Sequence, residues 1–93
     1  MDYGAMKEEK VIIRNKLGLH ARAAAIFSKQ ASEFTSTIEV IKDHQKVNGK
    51  SIMELLTVSA VKGCKIIIRA EGRDEEHAVK TLVSLVKDGF GEQ

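Results

Sequence analysis

The sequence predicts an α+β domain, with three helices laid on one face of a four-stranded sheet. Three observations carry this. Hydrophobic spacing switches between strand and helix periods in the order β-α-β-β-α-β-α along the chain. The two middle strand signals are separated only by the short polar stretch Asp43-His44-Gln45, so they form a hairpin. The two longer helical segments carry their apolar residues on one stripe, which a sheet must cover.

The first strand is read over Lys10 to Arg14, around Val11, Ile12 and Ile13. The stretch before it carries no clear pattern. Met6 could be an alternative start, and about residues 1–8 read as an extension of a single domain spanning 1–93. The alanine-rich run from Ala21 to about Glu33 reads as a helix. Ala23, Phe27, Gln30, Ala31 and Phe34 fall on one face, bordered by Ile26. Thr37 to Lys42 alternates, with Ile38 and Val40 facing one way and Glu39 and Ile41 the other. Lys46 to Asn48 returns as a short strand and Gly49 breaks it.

Ser51 followed by Glu54 has the spacing of a capping box: the hydroxyl takes one free N–H and the glutamate reaches back to another. It opens a helix to about Val58. Ile52, Met53, Leu55 and Leu56 are more apolar surface than so short a helix can bury, so part of it is expected to be exposed, as partner surfaces are. Leu55 and Ile52 are the ones that a purely structural reading would place in the core. Val61 to Cys64 is a turn. Lys65 to Glu71, with three consecutive isoleucines, is read as the central strand, and Cys64 as a half-buried small hydrophobe. Asp74 is expected to cap the last helix, with Glu75 and Glu76 at its positive end and a Glu76–Lys80 pair one turn apart. Ala78, Val79, Leu82, Leu85 and Val86 form its apolar face. Gly89 stops it, and Phe90 folds back on its last turn. His44 and His77 read as solvated residues.

The stretch Asn15 to Ala25 breaks a local rule. Gly18 permits a sharp bend, and His20 falls where a helix should begin, a place usually held by Ser, Thr, Asp or Asn. Such breaks concentrate at functional or strained sites. The first turn of a helix leaves backbone N–H groups unpaired and carries about half a positive charge, which together make an anion site. Arg22 adds a forked cationic donor set. An imidazole near neutral pH has an unprotonated nitrogen and can act as a nucleophile. His20 and Arg22 are therefore candidates for holding a phosphoryl group. On spacing alone, a solvent-exposed loop histidine beside a solvated arginine is the favoured reading.

Composition sets bounds. A chain of 93 residues makes one domain and buries roughly 60–65% of its unfolded surface. With 43% apolar and 30% charged residues it is ordinary for a soluble fold. A net charge of +2 and four aromatics without a stacking array argue against nucleic-acid binding. Cys64 alone makes no internal disulfide, which suits a reducing compartment. No apolar run reaches membrane-span length and no secretion signal precedes the domain, so a cytoplasmic location is expected. His20, His44 and His77 lie in separate segments and suggest no metal site.

Gly18-Leu19-His20-Ala21-Arg22 resembles the active-site segment of HPr, the histidine-containing phosphocarrier family of the bacterial phosphoenolpyruvate-dependent sugar phosphotransferase system. Lys46-Val47-Asn48-Gly49-Lys50-Ser51-Ile52-Met53 resembles that family's regulatory serine region, at the family's usual distance from the histidine. Ala70 to Ala78 is similar to its last strand-to-helix junction. The resemblance covers about residues 8 to 92 and departs where Ala23 stands in place of the family's usual proline.

The resemblance implies an HPr-like open-faced β-sandwich with an antiparallel sheet. It implies a monomeric carrier forming a phosphohistidine on His20, at Nδ1, rather than a stand-alone enzyme, and it calls for no cofactor. Arg22 would support the transferring group, and Ser51 would be a regulatory phosphorylation site. Implied partners are enzyme I, enzyme II A components, a serine kinase/phosphorylase and a transcription regulator, met through Ala24, Ala25, Ile52, Met53 and Leu56. No nucleic acid and no membrane insertion are implied. The alternative reading is a regulatory binding module of the same fold acting on transcription regulators or enzymes. Members specialised that way tend to lose the active histidine, which this chain keeps. Ala23 leaves one backbone angle freer than proline would.

Overall fold

A computed structural model describes residues 6–92; the suggested extension at residues 1–5 lies outside them. The order is β1 (Lys7–Ile12), α1 (Ala21–Ala31), β2 (Thr37–Lys42), β3 (Gln45–Asn48), α2 (Ile52–Leu56), β4 (Lys65–Glu71) and α3 (Glu75–Lys87), then a 3-10 turn, Gly89–Gly91. The sheet is antiparallel throughout, in the order β1-β4-β2-β3. This is the expected α+β open-faced sandwich. The alternation in β2 and β4 turns Ile38, Val40, Ile66, Ile68 and Ala70 inward, where all are buried against Phe27, Leu55, Leu82 and Val86 from the helices.

Several boundaries differ from the sequence reading. β1 starts at Lys7 rather than Lys10, so residues 7 and 8 belong to the sheet. Its ladder runs from Lys7↔Ala70 to Ile12↔Lys65, and backbone pairing needs no apolar side chains on an edge strand. The hairpin loop is two residues, Asp43-His44, because Lys42 pairs with Gln45. On α3 the buried stripe includes Val83, with Leu85 only half-buried. Asp74 sits at the α3 N-cap but does not cap it. Its carboxylate accepts from the Thr35 N–H (2.9 Å), the Ser36 N–H (3.0 Å) and the Ser36 hydroxyl, tying α3 to the loop before β2. Those bonds, the Ser36 hydroxyl foremost and the Thr35 amide next, pull its pKa down to about 2. Glu75 instead accepts from the Gly72 N–H at 3.0 Å. His77 is exposed, as expected, with its ring edge-on to Phe34 at 5.4 Å.

The outer face of the sheet is open, and a line of charges crosses it. Glu8 on β1 meets Arg69 on β4 at 2.8 Å, Arg69 reaches Glu39 on β2 at 3.6 Å, and Lys46 on β3 lies 3.9 Å from Glu39. The Glu76–Lys80 pair is not among the ion pairs of the described residues.

Candidate functional site

The site forms where β1 hands over to α1. Asn15 opens a turn closed by the Gly18 N–H on the Asn15 carbonyl at 3.1 Å, and Gly18 takes a left-handed φ of 67°. The Leu19 N–H then bonds the Ala60 carbonyl at 2.8 Å, which sets the start of α1. His20 is the N-cap residue, with extended backbone (φ −81°, ψ −177°) and no side-chain bond to the first turn. The ring therefore leaves the free N–H groups of that turn to another acceptor. Ala23 and Ala24 are completely buried. Their packing pins the first turn from inside, where proline would pin it by its ring.

His20 Nε2 is hydrogen-bonded to Glu92 Oε2. The other oxygen, Oε1, accepts from Asn15 Nδ2 at 3.0 Å, and the same amide donates to the Gly18 carbonyl at 2.7 Å. Glu92 arrives by a hook after α3. Phe90 is buried, with φ 57°, between Gly89 and Gly91, and the Glu92 N–H closes on the Gly89 carbonyl at 3.0 Å. The hydrogen bond from His20, then that from Asn15, hold the Glu92 carboxyl below its usual value, and the Arg22 cation adds to them. Lys16, Leu17, His20, Arg22 and Glu92 line one open depression.

In the neutral ring, a carboxylate on Nε2 requires the proton there, leaving the lone pair on Nδ1. Nδ1 has no hydrogen-bond partner among the described residues. That nitrogen lies at the N-terminus of α1, in a depression that Lys16 and Arg22 also line. The two residues suggested from the sequence, His20 and Arg22, line the same depression. Glu92 and Asn15 join His20 without a signal along the chain, because no local pattern links residues 72 and 77 positions apart.

Ser51 does not line this depression. It caps α2, its hydroxyl accepting from the Glu54 N–H at 3.1 Å. Only half of the expected capping box forms: the Glu54 carboxylate accepts from the Asn48 N–H at 3.0 Å, while the Ser51 N–H bonds the Asn48 carbonyl. On α2, Leu55 is buried, whereas Ile52 (42%), Leu56 (42%) and Met53 (78%) are exposed. Leu17 and Val61 are exposed as well, near each other around Gly18. Of the suggested contact residues Ala24 is a correction. It is fully buried and packs the core, so its side chain offers nothing to a partner; Ala25 is half-buried. No group of three or more potential metal ligands occurs among the described residues, and no described helix is long and apolar enough to cross a membrane.

Residues 7–88 match the family model described as PTS HPr component phosphorylation site. The chain is 45% identical to phosphocarrier protein HPr of Neisseria meningitidis over 87 residues, covering 94% of this chain and 98% of the relative. It is 41% identical to the HPr-like protein Crh of Bacillus subtilis, covering 89% and 98%. The crystal structure of HPr-C-His from Thermoanaerobacter tengcongensis superposes with a TM-score of 0.90 at 49% identity, covering 94% of this chain and 98% of that one.

Proposed function

The chain belongs to the HPr family of the phosphotransferase system, and on that premise we propose a cytoplasmic, monomeric phosphocarrier. His20 takes a phosphoryl group from phosphorylated enzyme I and passes it to an enzyme II A component. The observation that carries this reading is the bond between His20 Nε2 and Glu92, which leaves Nδ1 as the nucleophile at a helix N-terminus beside Arg22. In the transfer, the Nδ1 lone pair forms a bond to phosphorus as the donor's N–P bond breaks. The donor histidine leaves with that electron pair, and the proton on His20 Nε2 stays in place. The positive charge gained by the His20 ring is opposed by Glu92. The phosphoryl oxygens are met by Arg22, Lys16 and the free N–H groups of α1. Such a transfer needs position and charge more than covalent work by the protein.

Docking of both protein partners falls to the exposed apolar residues Ile52, Met53 and Leu56 of α2, together with exposed Leu17 and Val61 and half-buried Ala25. Ser51, at the start of that helix, is the regulatory phosphorylation site for a serine kinase/phosphorylase. Its phosphate would sit where the helix dipole favours it and would act on partners rather than on the fold. A second reading, a regulatory module, is favoured by the similarity to Crh; retention of His20 with its carboxylate partner favours the carrier.

The deciding experiment incubates the protein with phosphoenolpyruvate, enzyme I and magnesium, followed by mass spectrometry. One acid-labile phosphoryl group is expected, lost in His20→Ala. Labelling that survives the substitution overturns the assignment.

A further inference from the structure

We propose that Asn15 is a positioning residue for phosphoryl transfer, acting through Glu92: its amide aims the carboxylate that fixes the tautomer of His20. The inference rests on the carrier reading above and adds a residue to it.

Three observations support it. First, Asn15 is only 6% exposed, so its amide is fixed by protein contacts rather than by water. Second, the side chain has two N–H protons and two acceptors, the Gly18 carbonyl at 2.7 Å and Glu92 Oε1 at 3.0 Å. One bond holds the turn that leads into His20, and the other holds the carboxylate bonded to the His20 ring. Third, the amide oxygen Oδ1 is buried without a partner among the described residues. An orphaned acceptor is costly. Turning the amide over would not relieve it, because Oδ1 would then face two other oxygens. The orientation follows from the two donors alone.

An asparagine at the first position of a turn is common and needs no further explanation. That local role covers the bond to Gly18 but not the bond to Glu92, 77 residues away. Without Asn15, the Glu92 carboxylate keeps one partner and gains freedom to swing from the ring. The proton would then be free to sit on either nitrogen, and a ring protonated at Nδ1 has no lone pair there to attack phosphorus. Aspartate at position 15 keeps the shape but brings no proton for either oxygen at neutral pH, and it sets a second negative charge beside Glu92.

The test reads the ring directly. Nitrogen–proton correlation spectra of the full chain with labelled histidine, taken where the His20 ring is neutral, report where its proton sits. The parent is expected to show the Nε2–H form. Asn15→Ala and Asn15→Asp are expected to show a mixture. Glu92→Ala is expected to show a mixture as well, and Asn15→Ala added to Glu92→Ala should change nothing further, since residues acting through one another are not additive. Phosphorylation by enzyme I should slow about tenfold in Asn15→Ala, the lower end of what loss of a supporting partner costs where a histidine must be oriented. A parent-like ring in either folded Asn15 variant, or a full additional shift in the double variant, overturns the proposal. The spectrum needs no phosphoryl donor, so it separates the two ideas. A parent-like ring counts against Asn15, whereas a shifted ring in a chain that takes no phosphoryl group in any form counts against the carrier reading.

Discussion

Substituting Gly18 with alanine should damage the fold more than the same change at Gly63, and the difference can be worked from the surroundings. Both glycines have left-handed backbone, φ 67° and 89°. For an ordinary residue that conformation costs about 1–2 kcal/mol. At Gly63 nothing lies within 4 Å of a new Cβ, so the conformational cost is the whole cost. At Gly18 the new atom would stand 2.4 Å from the Ala60 carbonyl oxygen and 2.9 Å from Val61 Cα. Both are backbone atoms, and neither can rotate away. That same Ala60 oxygen accepts the Leu19 N–H at 2.8 Å, so relief of the clash disturbs the bond that starts α1. Overpacking of this kind adds about 1–3 kcal/mol. Urea denaturation of the three proteins should place Gly63→Ala about 1–2 kcal/mol below the parent and Gly18→Ala at least about 1 kcal/mol lower again. Phosphorylation of His20 should fall further in Gly18→Ala than in Gly63→Ala, since only at Gly18 does the new atom meet the Ala60 carbonyl that holds the start of α1. Equal stability losses in the two variants would refute the reasoning, because the steric part would then be absent.

Met53→Glu should weaken binding to enzyme I in titration calorimetry while leaving the melting temperature near that of the parent, since Met53 is 78% exposed; an unfolded variant would place the residue in the core instead. Ser51→Asp should slow phosphoryl transfer to His20 relative to Ser51→Ala, with both variants folded, and equal rates would argue against charge at Ser51 as a control. Asp74→Asn should destabilise the protein at neutral pH. Because the Asp74 pKa is depressed from 3.8 to about 2, the carboxylate's contribution is complete above about 3.8 and is lost as pH falls toward 2. Denaturation curves of parent and variant should therefore converge near pH 2, and a gap that persists there would point to a role other than charge.

Most of the fold was legible because burial imposes period. Ile38 and Val40 announce their strand by alternation, Ile66 to Ile68 announce theirs by an unbroken apolar run, and the apolar stripe of α3 announces its helix. The start of β1 was not legible, because Lys7 to Lys10 pair through backbone atoms on an edge where side chains stay wet. Short polar side chains misled in a different way. Asp74 and Glu54 stand where caps belong, yet each spends its carboxylate on a neighbouring segment. Of the site, His20 and Arg22 could be read from a local pattern. Asn15 and Glu92 are joined only by the fold, and a buried amide between distant segments has no signature along the chain.

The strand order also determines when the site can exist. Among the described strands β1 pairs with β4 alone and lies at the sheet edge, so the first strand made has no ladder partner until residues 65–70 have been added. His20 gains its carboxylate later still, once Phe90 has docked and brought Glu92 round. Closing so long a loop is entropically slow. During synthesis the segment that carries His20 is thus among the first to appear and the last to become competent. A chain stopped before Lys65 would hold the histidine as an unrestrained side chain, readable by the same nitrogen spectrum. Every shorter chain lacks the carboxylate that the finished fold sets against His20.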